Sequence, residues 1–587
     1  MHSTCFINPF SSNLIFPQKL KMALQWLILV VAIWLQSING TNSNFPAYSS
    51  DFKRLLSLSQ LQLNNLAFAS DAGKLLGFIS GVAASHLPLW LVLLIGSVLG
   101  LVGYGVQYLF LSDHIPSLSY GPVFLLTVLS GNSICWINTV CYMITISSFP
   151  FDRHVAVGLT TSYIGLSAEI YTDLVSVFFP SFPSSSSSPT ETAEAYLLLN
   201  SVSPLVVCVF CAPIVRCANN GVSRRLGGGF VVMFVITIGT GVFALISSFG
   251  KIARGLPPFV VVIGMGVSLL APLAVPLVEN VMERFQKKCW LRRQGRIYDV
   301  GVVDGGGGER AEEEEESGGG GSCEVVEEVG VKERAEEGRM EVEESGGGAG
   351  RCEAGVEEVG VKEMVKRVEF WLYFLVYLCG ATLGLVYLNN LGQIAESRGF
   401  RRTSSLVSLS SSFGFFGRLM PSLLAYIFSR YSLSLSLSLS LSLSTPLSKC
   451  MASTPASIAT IMAPMSASFF LLLNETTLSL YISTAVIGLC TGAITSIAVS
   501  TTTELFGAKN FSVNHNIVVA NIPIGSFVFG NAAALLYRSK INTEDGRCMG
   551  TECYQTTFVI WGFLCLFGSF LSIILYVRTK KMYAQRL

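Results

Sequence analysis

Two pairs of ionisable residues lie inside otherwise apolar stretches, and their spacings put each pair on one helix face. Asp71 and Lys74, in NNLAFASDAGKLLGF, are three residues apart; Glu169 and Asp173, in GLSAEIYTDLV, are four apart. A charge in apolar surroundings is costly unless it pairs, is neutralised or faces water. Asp71 and Lys74 can satisfy each other as an ion pair. Glu169 and Asp173 repel when both are ionised, so one of them is expected to hold a proton, as a coupling group must. All four are candidates for coupling or transport. The plainer alternatives are an interhelical clamp for the first pair and side chains reaching an interface for the second.

A second set of candidates is uncharged. The segment QSINGTNSNFP carries Gln36, Asn39 and Asn42, and Gly40 and Pro46 weaken any helix through it. Broken helices of this kind free backbone groups to line a cavity. Together with Asn389 and Gln393 further on, these amides are candidates for substrate contact; close helix packing through small and amide residues is the competing explanation. His515, near Asn514 and Asn516, is expected to be a satisfied interface residue.

Other chemistry finds little support. No phosphate-binding glycine loop, zinc-binding HExxH or nucleophile-elbow GxSxG occurs, so the chain is not expected to be an enzyme and needs no cofactor. Most of the 15 cysteines are scattered through apolar runs without metal-ligand spacing, so no metal is expected. A net charge of +1, with no continuous basic face, gives no reason to expect a nucleic-acid partner.

The elements that must position these residues are membrane helices. The chain is 51% hydrophobic and 13% charged, and a bilayer core of about 30 Å takes roughly 20 apolar residues per helix. Lipid offers backbone groups no partner, so such runs must be helical. Fourteen spans are expected, eight at 25–47, 60–83, 88–111, 121–148, 154–179, 194–214, 228–249 and 257–280. Six more follow at 368–391, 404–429, 453–473, 477–503, 511–537 and 556–577. The chain thus divides into a leader (1–21), an N-terminal membrane domain (22–280), an acidic Gly/Glu-rich linker (281–367) and a C-terminal bundle (368–587). The leader lacks a cleavable signal, and the first span serves as a signal-anchor. Lysine and arginine near span ends, such as Arg224, Arg225 and the Arg284–Arg296 cluster, favour both termini on the cytoplasmic side.

Within the linker EEVGVKE occurs twice, at 327–333 and 357–363. Its composition predicts a disordered tether, or a docking segment for a cytoplasmic partner. Residues 432–444, SLSLSLSLSLSLS, read as a repeat expansion. Cys548 and Cys553 precede the last span on the outer side, where a disulfide is permitted. The sequon at Asn39 should be hidden by the first helix.

Several long motifs carry a family resemblance. WLQSINGTNSNFPAYSSDFKRLLSLSQLQLNNLAFASDAGKLLGF (34–78), GLSAEIYTDL (165–174), NNLGQIAES (389–397), FFGRLMPSLLAYIFSR (415–430), STTTELFGAKNFSVNHN (500–516) and ANIPIGSFVFG (520–530) resemble the plant nodulin-like branch of the major facilitator superfamily, including its Nuclear Fusion Defective group. The resemblance implies an all-α polytopic membrane protein of two six-helix bundles rocking about a midplane site, with spans seven and eight added between them. With it goes the expectation of a secondary transporter working by alternating access on a small polar or anionic organic solute, with the carboxylates above as candidates for proton coupling and Glu169 unusual for the family. The superfamily's loop motif after the second span is reduced to Gly77-Phe78-Ile79-Ser80-Gly81. Gly417-Arg418 fit the matching place in the second half, which makes them gating candidates. Ala425 stands where the family often has an acidic residue. The alternative is a membrane scaffold or sensor acting through the acidic linker, with the bilayer as its only other partner.

Overall fold

The computed structural model describes residues 18–179, 189–218, 228–248, 257–278, 358–400, 403–438, 453–540 and 548–584. Most of the linker, the leader and the end of the SLSL tract lie outside the described residues. Every regular element among the described residues is helical. Twelve helices are long and apolar enough to cross a membrane: α1 (Met22–Ser49), α2 (Leu61–His86), α3 (Leu89–Leu111), α4 (Tyr120–Ser148), α6 (Ala193–Arg216), α7 (Gly228–Ser247), α8 (Pro258–Val278), α9 (Val368–Asn389), α11 (Thr454–Leu471), α12 (Thr477–Phe506), α13 (Phe511–Ser539) and α14 (Glu552–Lys581). The expected count was fourteen. The other two segments, α5 (153–178) and α10 (Thr403–Ser438), are helical but less apolar. Their position explains this. They pack against each other in the interior, where serine and threonine find partners instead of lipid.

The helices form two groups whose contacts repeat. In the first, α1 packs on α6, α2 on α4, α3 on α4 and α3 on α6; in the second, α9 packs on α14, α10 on α12, α11 on α12 and α11 on α14. Adding eight to each helix number of the first group gives the second. The groups meet along two seams, α2 with α13 and α5 with α10, and the same renumbering exchanges these seams. The fold is therefore a pseudo-twofold pair of six-helix bundles. Helices α7 and α8 stand outside this scheme. α7 packs on α10, α8 packs on α5 and α7, and the Trp34 indole donates to the Leu269 carbonyl at 2.7 Å. They turn Val235, Ile263, Val267 and Leu277 outward, as lipid-facing helices do.

Four breaks in helical regularity fall beside the polar residues. α1 stops at Ile38 and resumes as a 3-10 turn at Thr41–Asn44. The freed Gly40 N–H donates to Ser167 Oγ at 3.0 Å, and a Cβ there would stand 2.6 Å from Ser167 Cβ. α2 tightens to 3-10 geometry at Gly73–Leu76, α5 at Tyr163–Leu166, and α9 widens to a π turn at Leu378–Thr382. Such breaks are frequent where a helix carries function.

The last part of the expected linker is ordered. Residues 358–364 dock between the ends of α12 and α13. Val359 N–H donates to the Phe506 carbonyl at 3.1 Å, its own carbonyl accepts from Asn514 Nδ2 at 3.0 Å, and Val359 and Met364 are fully buried. Glu358 caps the N–H groups of Ala508 and Lys509. The second EEVGVKE copy supplies all of these residues but Met364; the first lies outside the described residues.

Candidate functional site

Three adjoining cavities run between the bundles. The largest, about 880 Å³, is walled by both halves, with Asn39, Lys74 and Tyr142 from the first and Tyr377, Arg418 and His515 from the second. A second, about 660 Å³, shares Asn42, Ser43, Ile164, Leu385 and Arg418 with it. The third, about 430 Å³, shares Asn389 with the second and adds Asn64, Gln393 and Ser526.

Two glycine interlocks set the charged residues in this wall. In the first half, α2 crosses α4 so closely that a Cβ on Gly131 would stand 1.9 Å from the Ser70 carbonyl, and one on Gly73 2.3 Å from the Val128 carbonyl. In the second half, α10 crosses α12 the same way: a Cβ on Gly492 would stand 2.3 Å from the Gly414 carbonyl, and one on Gly417 2.0 Å from the Leu489 carbonyl. Residues 70, 73, 128 and 131 thus correspond one for one to 414, 417, 489 and 492. Lys74 follows the first interlock glycine and Arg418 the second. The structure therefore pairs Gly417-Arg418 with Gly73-Lys74, inside the bundle, rather than with the loop remnant at 77–81. Arg418 accordingly faces the cavity.

The two cations differ in their partners. Lys74 is buried and donates to Asp71 Oδ1 at 2.6 Å. Asp71 Oδ2 accepts from Ser526 Oγ at 2.7 Å and from Asn389 Nδ2 at 3.1 Å, both in the second half. The ion pair is therefore also a clamp across the α2–α13 seam. Arg418 has only a long contact from Nη1 to the Gly414 carbonyl at 3.5 Å. Among the described residues no carboxylate lies within ion-pair distance of it. The position matching Asp71 is Phe415.

The other carboxylates separate rather than cooperate. Glu169 is buried and accepts from Ser247 Oγ at 2.6 Å and Ser412 Oγ at 3.1 Å, so it spans the α5–α10 seam and ties in α7. Asp173 is half-buried, and its Oδ2 meets no hydrogen-bond partner. The i,i+4 spacing placed them near one face. Ser247 and Ser412, on other helices, gave Glu169 partners that spacing could not reveal.

Among the amides, Asn39 donates to Asn138 Oδ1 at 2.9 Å and to the Ile134 carbonyl, and it lines the largest cavity, which also hides its sequon. Asn42 and Asn389 line cavities as well. Gln393 donates to Asn64 Oδ1 at 2.7 Å and accepts from Tyr554 at 3.0 Å, closing one end of the third cavity. Gln36 is fully buried with both side-chain atoms unpartnered, and it lines none of these cavities. His515 lies in the cavity wall, stacked on Phe511 at 5.0 Å with its Nδ1 3.1 Å from Thr502 Oγ1. Cys548 and Cys553 form a disulfide.

The halves touch on both sides of the cavity. Toward the face where α1 begins (the near face), Ser512 Oγ donates to the Gly81 carbonyl at 3.2 Å, and a Cβ on Gly158 would stand 2.5 Å from Ser422 Cβ. Toward the far face stand the Asp71 and Glu169 contacts and the Gln393–Asn64 bond. The halves are thus held by glycine contacts on the near side of the cavity and by carboxylate–serine contacts on the far side.

A family model described as Nodulin-like matches residues 25–278, and one described as NFD4, C-terminal domain, matches 353–585. Over 575 residues, 95% of this chain and 89% of the relative, the sequence is 36% identical to Protein NUCLEAR FUSION DEFECTIVE 4 of Arabidopsis thaliana. Among solved structures, the chain is similar to a bacterial homologue of the human drug peptide transporters PepT1 and PepT2 (TM-score 0.46, 10% identity, covering 96% of this chain and 99% of that one). It is also similar to the major facilitator proton:xylose symporter XylE bound to 6-bromo-6-deoxy-D-glucose (TM-score 0.48, 10% identity, 96% of each). With more than a third of its residues shared along nearly the whole length of a curated relative, the chain belongs to the nodulin-like family of NUCLEAR FUSION DEFECTIVE 4.

Proposed function

We propose that the protein is a secondary transporter that moves a small organic solute across a membrane by alternating access. One observation carries this: a cavity between two pseudo-symmetric bundles, lined by polar side chains from both, with the halves meeting most closely along the α2–α13 and α5–α10 seams. Rocking the bundles about the cavity would break the glycine contacts at the near face or the carboxylate contacts at the far face, but need not break both. The bias of basic residues favours a cytoplasmic near face.

Proton coupling belongs to the same proposal. Asp71 and Glu169 are tied into the seams, so protonating either one weakens the far-side contacts. Asp173, with an unpartnered oxygen, can take up and return a proton without breaking a seam. Purified full-length protein in liposomes loaded with a pH dye, screened against organic solutes, tests both parts. Solute-dependent acidification that is lost in Asp173→Asn supports coupling. Uptake that persists in Gly158→Leu, whose side chain would jam against Ser422, would count against the rocking mechanism.

A further inference from the structure

We infer that Arg418 is the anchor of an anion site, and that the solute is a small organic monoanion bearing a carboxylate together with hydroxyl or amide groups. The inference rests on the transport proposal for its setting, but its evidence is separate. The two interlocks place Lys74 and Arg418 at matching positions in the two halves, each facing the largest cavity. In the first half the chain supplies the counter-ion, Asp71, three residues earlier. In the second half the same position is Phe415, and no described carboxylate reaches the guanidinium.

A cation in a bundle interior without a partner is costly. The pseudo-symmetry identifies what is missing as one negative charge. Charge counting agrees: Arg418 and Lys74 contribute two positive charges at the cavity and Asp71 one negative, leaving one positive charge to be balanced. The planar guanidinium presents two parallel N–H donors that match a carboxylate. Around it, Tyr142, Tyr377, Asn138, Thr161 and Ser496 line the same cavity with hydroxyl and amide groups suited to a hydroxylated or amidated body. Two cavities converge on Arg418, so it is the one charged side chain reached from both.

The test uses purified full-length protein in detergent. Its melting temperature is measured with glycolate, lactate, glycerate and gluconate, each compared with its own neutral amide, and with malate as a dianion. At least one monocarboxylate should raise the melting temperature while its amide does not. Arg418→Gln should weaken that carboxylate about ten- to hundredfold, the usual loss for one charge-assisted contact. Arg418→Lys, which keeps the charge but not the fork, should fall between the two and also serves if the glutamine variant fails to fold. The inference is overturned if no carboxylate stabilises the folded protein. It is equally overturned if amides do as well as acids, or if the shift survives both substitutions. Failure of transport reads differently: Arg418-dependent binding without flux in liposomes would sink the transporter and leave the anion site standing. Flux of neutral solutes alone would do the reverse.

Discussion

The two glycine interlocks have the same backbone design and opposite electrostatics. In α2–α4, Gly73 and Gly131 bring two helices into backbone contact, and the next residue, Lys74, is neutralised on the spot by Asp71. In α10–α12, Gly417 and Gly492 repeat the contact, and Arg418 is left facing the cavity with no described carboxylate within ion-pair distance. The first half spends its cation on holding the bundles together, since Asp71 also takes Ser526 and Asn389 across the seam. The second half leaves its cation available. The two interlocks thus offer equivalent positions, and the identity of one neighbouring residue, Asp71 or Phe415, leaves one cation paired at a seam and the other facing the cavity.

The largest expected effect comes from breaking the closed pair. Asp71→Asn strands Lys74 as a buried charge, so it should cost about 3–5 kcal/mol of stability and lower the melting temperature in detergent. Asp71→Asn combined with Lys74→Met should recover most of that loss, because no charge is then left unpaired. If the double variant is as damaged as the single one, the pair is not what matters there.

Next come the glycines. Gly131→Ala and Gly492→Ala push a methyl into the Ser70 and Gly414 carbonyls and should each cost about 1–3 kcal/mol or more. Gly239→Ala, which meets nothing within 4 Å, should be silent in the same assay. Unequal costs for Gly131 and Gly492 would show that the halves match in geometry but not in packing. A smaller effect of opposite sign is expected of Arg418→Gln without ligand. Removing an uncompensated cation should leave the melting temperature equal to or above the parent's, whereas Lys74→Gln lowers it. The smallest is deletion of 300–350, which spares the docked residues 358–364 and should leave solute flux unchanged; lost flux would favour a partner-dependent role for the linker.

Much of this was readable from the sequence because the signals were local. The Asp71–Lys74 spacing predicted their pairing, and Gly40 with Pro46 predicted the break in α1. What escaped was non-local. Gly131 and Gly492 look like any glycine in an apolar run, and their meaning depends on carbonyls about 60 to 80 residues away in sequence. Ser526 and Ser412 likewise carry no mark of binding Asp71 and Glu169, hundreds of positions earlier. The acidic linker was expected to be a disordered tether or a docking segment through residue 367. Instead Val359 and Met364 bury themselves, since even a tether stops where an apolar residue finds a seat.

The low apolarity of α5 and α10 also bears on how the molecule is made. A carboxylate or guanidinium near the centre of a helix costs about 2.5–3.5 kcal/mol when that helix enters the bilayer alone. α5, with Glu169 and Asp173, emerges after α1 and α4 and can lean on them at once. α10, with Arg418, emerges before α12, the helix it packs on most closely in its own half. The surfaces already waiting for it are α5 and α7, so during synthesis the first bundle acts as the template on which the second is assembled. The α5–α10 seam then forms before the second interlock, so the second half is already in contact with the first before it closes on itself.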